Sequence, residues 1–186
     1  MSSWIDKIMR LAQAAADVTR ELALEADGAG RGHYAHLAAR IVKHYRALGI
    51  EVEIEPRGHN RVDLAGSGPC GRMIGEIKNA REARTGADAW WSHWSHKPNG
   101  LAGVYRGAEK GLSGVERGWC AVIDGQLRDY AGRLGLAQAD LIVESHAEFS
   151  DAIRRSLRFL EQLRRIRSWT EDEDKDIGYF TVHLKT

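Results

Sequence analysis

Cysteine and proline are scarce in this chain of 186 residues, which has two of the first and three of the second. Cys70 and Cys120 lie far apart and form no CxxC, which argues against a zinc ribbon or a redox motif and leaves two thiols expected to be reduced. No apolar run approaches the roughly 18 to 20 residues that a membrane helix needs. The opening stretch "MSSWIDKIMRLAQAAADVTRELALEA" carries Asp6, Lys7 and Arg10 where a secretory peptide has its apolar centre, so no export signal is read and a cytoplasmic setting is expected. Also missing are a GxxxxGK[ST] phosphate loop, a GxSxG nucleophile turn, an HExxH zinc motif and any repeat. His33-x-x-His36 and His93-x-x-His96 have helical spacing but no cysteine nearby, so zinc is not expected there.

What is present is ordinary for a globular protein: 43% apolar and 28% charged residues, with a formal net charge of +1. That sum neither demands nor forbids a nucleic-acid partner, because distribution decides. Distribution is uneven here. Six arginines fall in "IRRSLRFLEQLRRIR" (153–167), and "EDEDKD" (171–176) is acidic. The length suits one domain over 1–186, with an N-terminal helical appendage (1–30), a core (33–145) and a C-terminal helix with an edge strand (146–186).

Periodicity supplies the elements. Ile5, Ile8, Leu11, Ala15 and Val18 repeat as on a helix; "HYAHLAARIVKHYRALG" is a second helix, stopped by Gly49. "IEVEIEP" alternates as a half-exposed strand, and "RVDLAG", the turn "GSGPCG" and "RMIGEIK" continue an antiparallel meander. "TGADAWWSHWSH" is expected to be a helix with Thr85 near its cap, "WCAVID" (119–124) a buried strand, "GQLRDYAGRLGL" a short helix and "ADLIVES" (139–145) a strand. A long helix over "AEFSDAIRRSLRFLEQLRRIR" and an edge strand "IGYFTVHLK" complete the chain. The order predicts an α/β (α+β) fold, a mixed sheet of about five strands with helices on both faces.

One strand holds charges that need a reason. In "MIGEIK", Ile74, Glu76 and Lys78 share one face, and Asp63 points away from the side of Val62 and Leu64. Paired through the turn, the two strands bring Asp63 and Glu76 together at one end of the hairpin. Two close carboxylates repel unless a cation lies between them, and hard oxygen ligands suit Mg²⁺ or Mn²⁺. Lys78, one strand repeat on, can offset charge developing on a phosphate. These are the parts of phosphodiester hydrolysis.

"VDLAGSGPCGRMIGEIK" resembles the catalytic signature of the PD-(D/E)XK, or restriction-endonuclease-like, nuclease superfamily: an acidic residue on one strand and (D/E)-x-K on the next. The resemblance implies an α-β-β-β-α-β core, matched in order by residues 33–124. It also implies Asp63 and Glu76 as metal ligands, the Ile77 carbonyl as a further one, Lys78 as the catalytic lysine and Mg²⁺ or Mn²⁺ as the cofactor. Glu173-Asp174-Lys175 fits the short motif too, but in a polar acidic run instead of an apolar strand. Val62 stands where the eponymous proline would be, and the first core helix has no acidic residue to add a ligand. His36, or Glu21 or Glu25 from the preceding helix, could take that place.

His59 and Asn60, leading into the Asp63 strand, join His36 as accessory candidates, with Arg61 as a phosphate contact. Arg154, Arg158 and Arg165 form a phosphate-binding strip if one helix carries them; the alternative is pairing with Glu161 and the acidic run. Trp90 and Trp94 read as core; Trp91, His93 and His96 are the aromatic candidates for stacking on bases. The expectation is a metal-dependent endonuclease-like hydrolase that cleaves DNA by a metal-activated water. Its alternative is a non-catalytic nucleic-acid-binding or assembly subunit on the same fold. DNA is favoured over RNA as partner, a membrane is not expected, and a homodimer is the assembly to consider beside a monomer.

Overall fold

The computed structural model describes residues 31–54, 62–97 and 100–185. The expected N-terminal helix, with Glu21 and Glu25, and the accessory candidates His59, Asn60 and Arg61 lie outside the described residues. Contacts divide the chain into two compact units, 1–51 and 52–186. In the first, helix α1 (Arg31–Ala47) forms where the apolar period predicts, with Leu37, Ile41 and Tyr45 buried along one stripe. Gly49 follows it in the left-handed conformation (φ 74°), a backbone state that costs a glycine little.

The sheet has six strands, one more than expected: β1 (Glu51–Ile54), β2 (Leu64–Gly68), β3 (Gly71–Lys78), β4 (Gln138–Glu144), β5 (Ile166–Asp174) and β6 (Ile177–Leu184). Their order is β1-β2-β3-β4-β6-β5, with β3 and β4 parallel and the β2–β3, β4–β6 and β6–β5 pairs antiparallel. The protein is thus a mixed α+β fold. Between β3 and β4 run α2 (Ala80–Ser95), α3 (Leu101–Tyr105), a short 3₁₀ turn, and α4 (Gly114–Cys120). The last passes without a break through a π-helical stretch (Ala121–Leu127) into α5 (Arg128–Arg133). Helix α6 (His146–Gln162) joins β4 to β5. In the second unit these helices share one core with one sheet face: Ala83, Trp119, Ile123, Leu127, Ile153 and Leu157 meet Ile74, Leu141, Val143, Phe180 and Val182.

Four expectations change. "WCAVID" is not a strand: Trp119 to Ile123 are buried on all sides within a helix, so the fourth core strand is β4, beyond residue 124. The long arginine-rich helix ends at Gln162, because Arg164 takes a left-handed conformation (φ 55°) and the chain turns into β5. The acidic run therefore lies largely in a strand, and β5, not β6, is the sheet edge. Finally, α2 starts at Ala80 instead of near Thr85, since Asn79 and Glu82 form a reciprocal capping box. No helix of the described residues is long and apolar enough to cross a membrane.

Candidate active site

The β2–β3 hairpin is tighter than expected, its strands running through Gly66 and Gly68 to a turn at Pro69 and Cys70. Its register pairs Leu64 with Gly75, which places Asp63 at the open end, next to Glu76 on the same face. There the Asp63 carboxylate accepts a hydrogen bond from the Ile77 backbone N–H (2.9 Å), which anchors it against β3. In the parallel ladder Glu76 lies opposite Leu141 and Lys78 opposite Val143, so both charges point toward the helical layer. Glu76 is 3% exposed.

A buried carboxylate must be compensated. One oxygen of Glu76, Oε1, accepts from Lys78 Nζ (2.5 Å) and from Gln126 Nε2 (2.6 Å); the other, Oε2, is buried with no hydrogen-bond partner. Burial pushes the Glu76 pKa up to about 7; Lys78 opposes the rise, the neighbouring Asp63 charge adds to it, and the bonds from Lys78 and Gln126 fall short of cancelling it. Burial acts to depress Lys78, but attraction and hydrogen bonding to Glu76, with help from Asp63 and Glu82, outweigh it and hold the ammonium above its ordinary value. Lys78 is therefore a fixed cation. Its Nζ also lies 5.5 Å from the centre of the Trp90 ring, which rests on the fully buried Trp119.

Gln126 was not among the candidates, and neither was its neighbour Tyr130, whose hydroxyl accepts from the same amide at 3.2 Å. The two are one helical turn apart, across the end of the π-helical stretch, and the amide joins them to a carboxylate fifty residues earlier in the chain. Gly125 lets that stretch approach α2: a Cβ there would lie 2.6 Å from Trp94 Cγ. The Gln126-x-x-x-Tyr130 spacing, on a helix after the acidic strand, is the only signal by which sequence could have found them.

Among the described residues no group of three or more His, Cys, Asp or Glu side chains is arranged to hold a metal ion. Asp63 and Glu76 nonetheless fit one in part. They are two adjacent hard-oxygen donors, and the orphaned Oε2 is an atom that a cation would satisfy. His36 is exposed on α1, in the first unit. The arginine strip is not one helix face: Arg154 and Arg158 are on α6, Arg165 lies beyond its end. Arg154 is bound to Glu171 (2.8 Å), Arg165 to the buried Asp124 (2.8 Å), and Arg158 is exposed. Trp90 and Trp94 pack against the core as expected, and so does Trp91, which stacks on Tyr105. His93 and His96 are exposed. The chain matches no protein-family model, no curated protein and no solved structure.

Proposed function

We propose that this chain is a metal-dependent nuclease with a restriction-endonuclease-like core, hydrolysing phosphodiester bonds in DNA at Asp63, Glu76 and Lys78. One observation carries the reading. Glu76 is buried with one oxygen unpartnered, beside a second carboxylate and a lysine, an arrangement that costs stability and that a divalent cation and a phosphate would complete. A bound Mg²⁺ or Mn²⁺ supplies the polarisation of water and the charge neutralisation that hydrolysis requires. The chain's own residues do the rest. Asp63 is oriented by the Ile77 N–H and Glu76 by Gln126, which Tyr130 steadies in turn. Lys78 keeps its proton and sets a positive charge where the phosphate gains negative charge.

The second reading, a nucleic-acid-binding or assembly subunit without catalysis, is favoured by the lack of a third acidic ligand among the described residues. Incubation of purified protein with labelled single-stranded, duplex and branched DNA and with RNA, with and without Mg²⁺ or Mn²⁺, separates the two. Cleavage of DNA that requires the cation is expected; binding without cleavage at millimolar cation supports the second reading. A cytoplasmic setting and a homodimer belong to the same proposal.

A further inference from the structure

Beyond the C-terminal end of α2 the chain forms a pocket of about 550 Å³, lined by Ser95, Lys97, Gly100, Gly103, Val104 and Arg106. Two of these are cations and none is acidic. We propose that this pocket is a phosphate-binding subsite for a nucleic-acid strand, which rests on the reading of the chain as a nucleic-acid enzyme and extends it to how the strand is held.

The cations are prepared for an anion. Lys97 is held with its Nζ 3.6 Å over the centre of the Trp94 ring, and Trp94 is fixed by the close approach of Gly125. A lysine that is already ordered loses less freedom on binding an anion, and the indole face leaves its N–H donors available. Arg106 closes α3 in the left-handed conformation (φ 54°), with its backbone N–H on the Ala102 carbonyl; glycine or asparagine is the cheaper residue there. The sequence nonetheless sets an exposed guanidinium at the pocket. Gly103 has open space where a Cβ would stand, so a ligand can approach the backbone closely.

Trp90, whose ring faces Lys78, and Ser95, which lines the pocket, belong to the same helix α2.

The test is equilibrium binding of the full chain to a fluorescein-labelled 20-nucleotide single strand, and to the same sequence as duplex. It is done without divalent cation, at several salt concentrations, for the parent, Lys97→Gln, Arg106→Gly and the double variant. Each single variant should flatten the dependence of log K on log salt by about 0.7 on single strand or 0.9 on duplex, and the double variant by twice as much, a loss at 0.1 M salt of about 25-fold on single strand and about 60-fold on duplex. Arg106→Gly should lose binding while melting no lower than the parent, which a structural role for Arg106 would not allow. Unchanged slopes overturn the proposal. So does saturable binding of low-millimolar inorganic phosphate to the parent, lost in the double variant, without displacement of the oligonucleotide, which would make the pocket a site for the free anion. Cleavage is read separately: a chain that cuts DNA with unchanged slopes loses the subsite and keeps the metal site, and flattened slopes without cleavage do the reverse.

Discussion

Replacing Glu76 by Gln should change how stability depends on pH, the variant gaining on the parent as the pH rises. The Glu76 carboxyl has a pKa of about 7 in the folded chain against an ordinary 4.5, because burial and Asp63 outweigh Lys78 and Gln126. A raised carboxyl pKa favours the fold while the group is protonated. That contribution is whole below 4.5, declines as the unfolded chain ionises, and is gone once the pH has passed through 7. At about 1.4 kcal/mol per pKa unit, the ionised group carries roughly 3 kcal/mol against folding at pH 8 and under 1 kcal/mol at pH 5. Gln keeps the shape and cannot ionise. In the parent Lys78 stays charged throughout this range, held up mainly by Glu76; in the variant that attraction is gone and only Asp63 and Glu82 offset its burial, a cost to be set against the gain. The gain of Glu76→Gln over the parent should therefore grow by about 2 to 3 kcal/mol between pH 5 and pH 8. In melting temperature that is roughly 5 to 10 °C for a chain of this size. Thermal melts of both proteins at pH 5, 6, 7 and 8 measure it. Parallel curves, or a variant that loses stability as the pH rises, would refute the argument and make the Glu76–Lys78 pair a plain structural ion pair.

Asp63→Ala, Glu76→Ala and Lys78→Ala should each abolish cation-dependent cleavage while the chain still folds, checked by a DNA cleavage assay beside circular dichroism; near-parental cleavage removes that residue from the site. Gln126→Ala should lower kcat by about tenfold or more with a smaller change in KM, since its amide orients Glu76 and touches no substrate; Tyr130→Phe should have a milder effect of the same kind. His36→Ala should lower cleavage with little change in melting if His36 contacts phosphate or metal, and unchanged cleavage removes it. Arg154→Gln, which breaks the bond to Glu171, should cost at most about 1 kcal/mol and leave the salt dependence of binding as it was; a flatter slope would return α6 to the nucleic-acid surface.

The hairpin and its charges were legible because strand alternation is strict: a period of two fixes Ile74, Glu76 and Lys78 on one face whatever surrounds them. The partners of Glu76 were not, because Gln126 belongs to a different element and lies within a π-helical stretch that no periodicity announces. "WCAVID" misled for a related reason. A short apolar run is buried equally well as strand or helix, and the capping box at Ser113 and Glu116 that starts this helix lies upstream of it. The end of α6 was hidden by an arginine: the left-handed turn at Arg164 does the work usually signalled by glycine, so the helical pattern of leucines and arginines seemed to run on to Arg167. The ion pairs of Arg154 and Arg165 depend on β5 and the buried Asp124, and could be read only once those were placed.

Calorimetric titration of Mn²⁺ into the parent and into Glu76→Gln at pH 7, in two buffers of different ionisation heat, tests the central claim most directly. The account predicts saturable binding by the parent with release of about half a proton, since Glu76 is about half protonated there and a cation displaces that proton, and no binding by the variant. Equal binding by both proteins, or none by the parent at millimolar Mn²⁺, would contradict it.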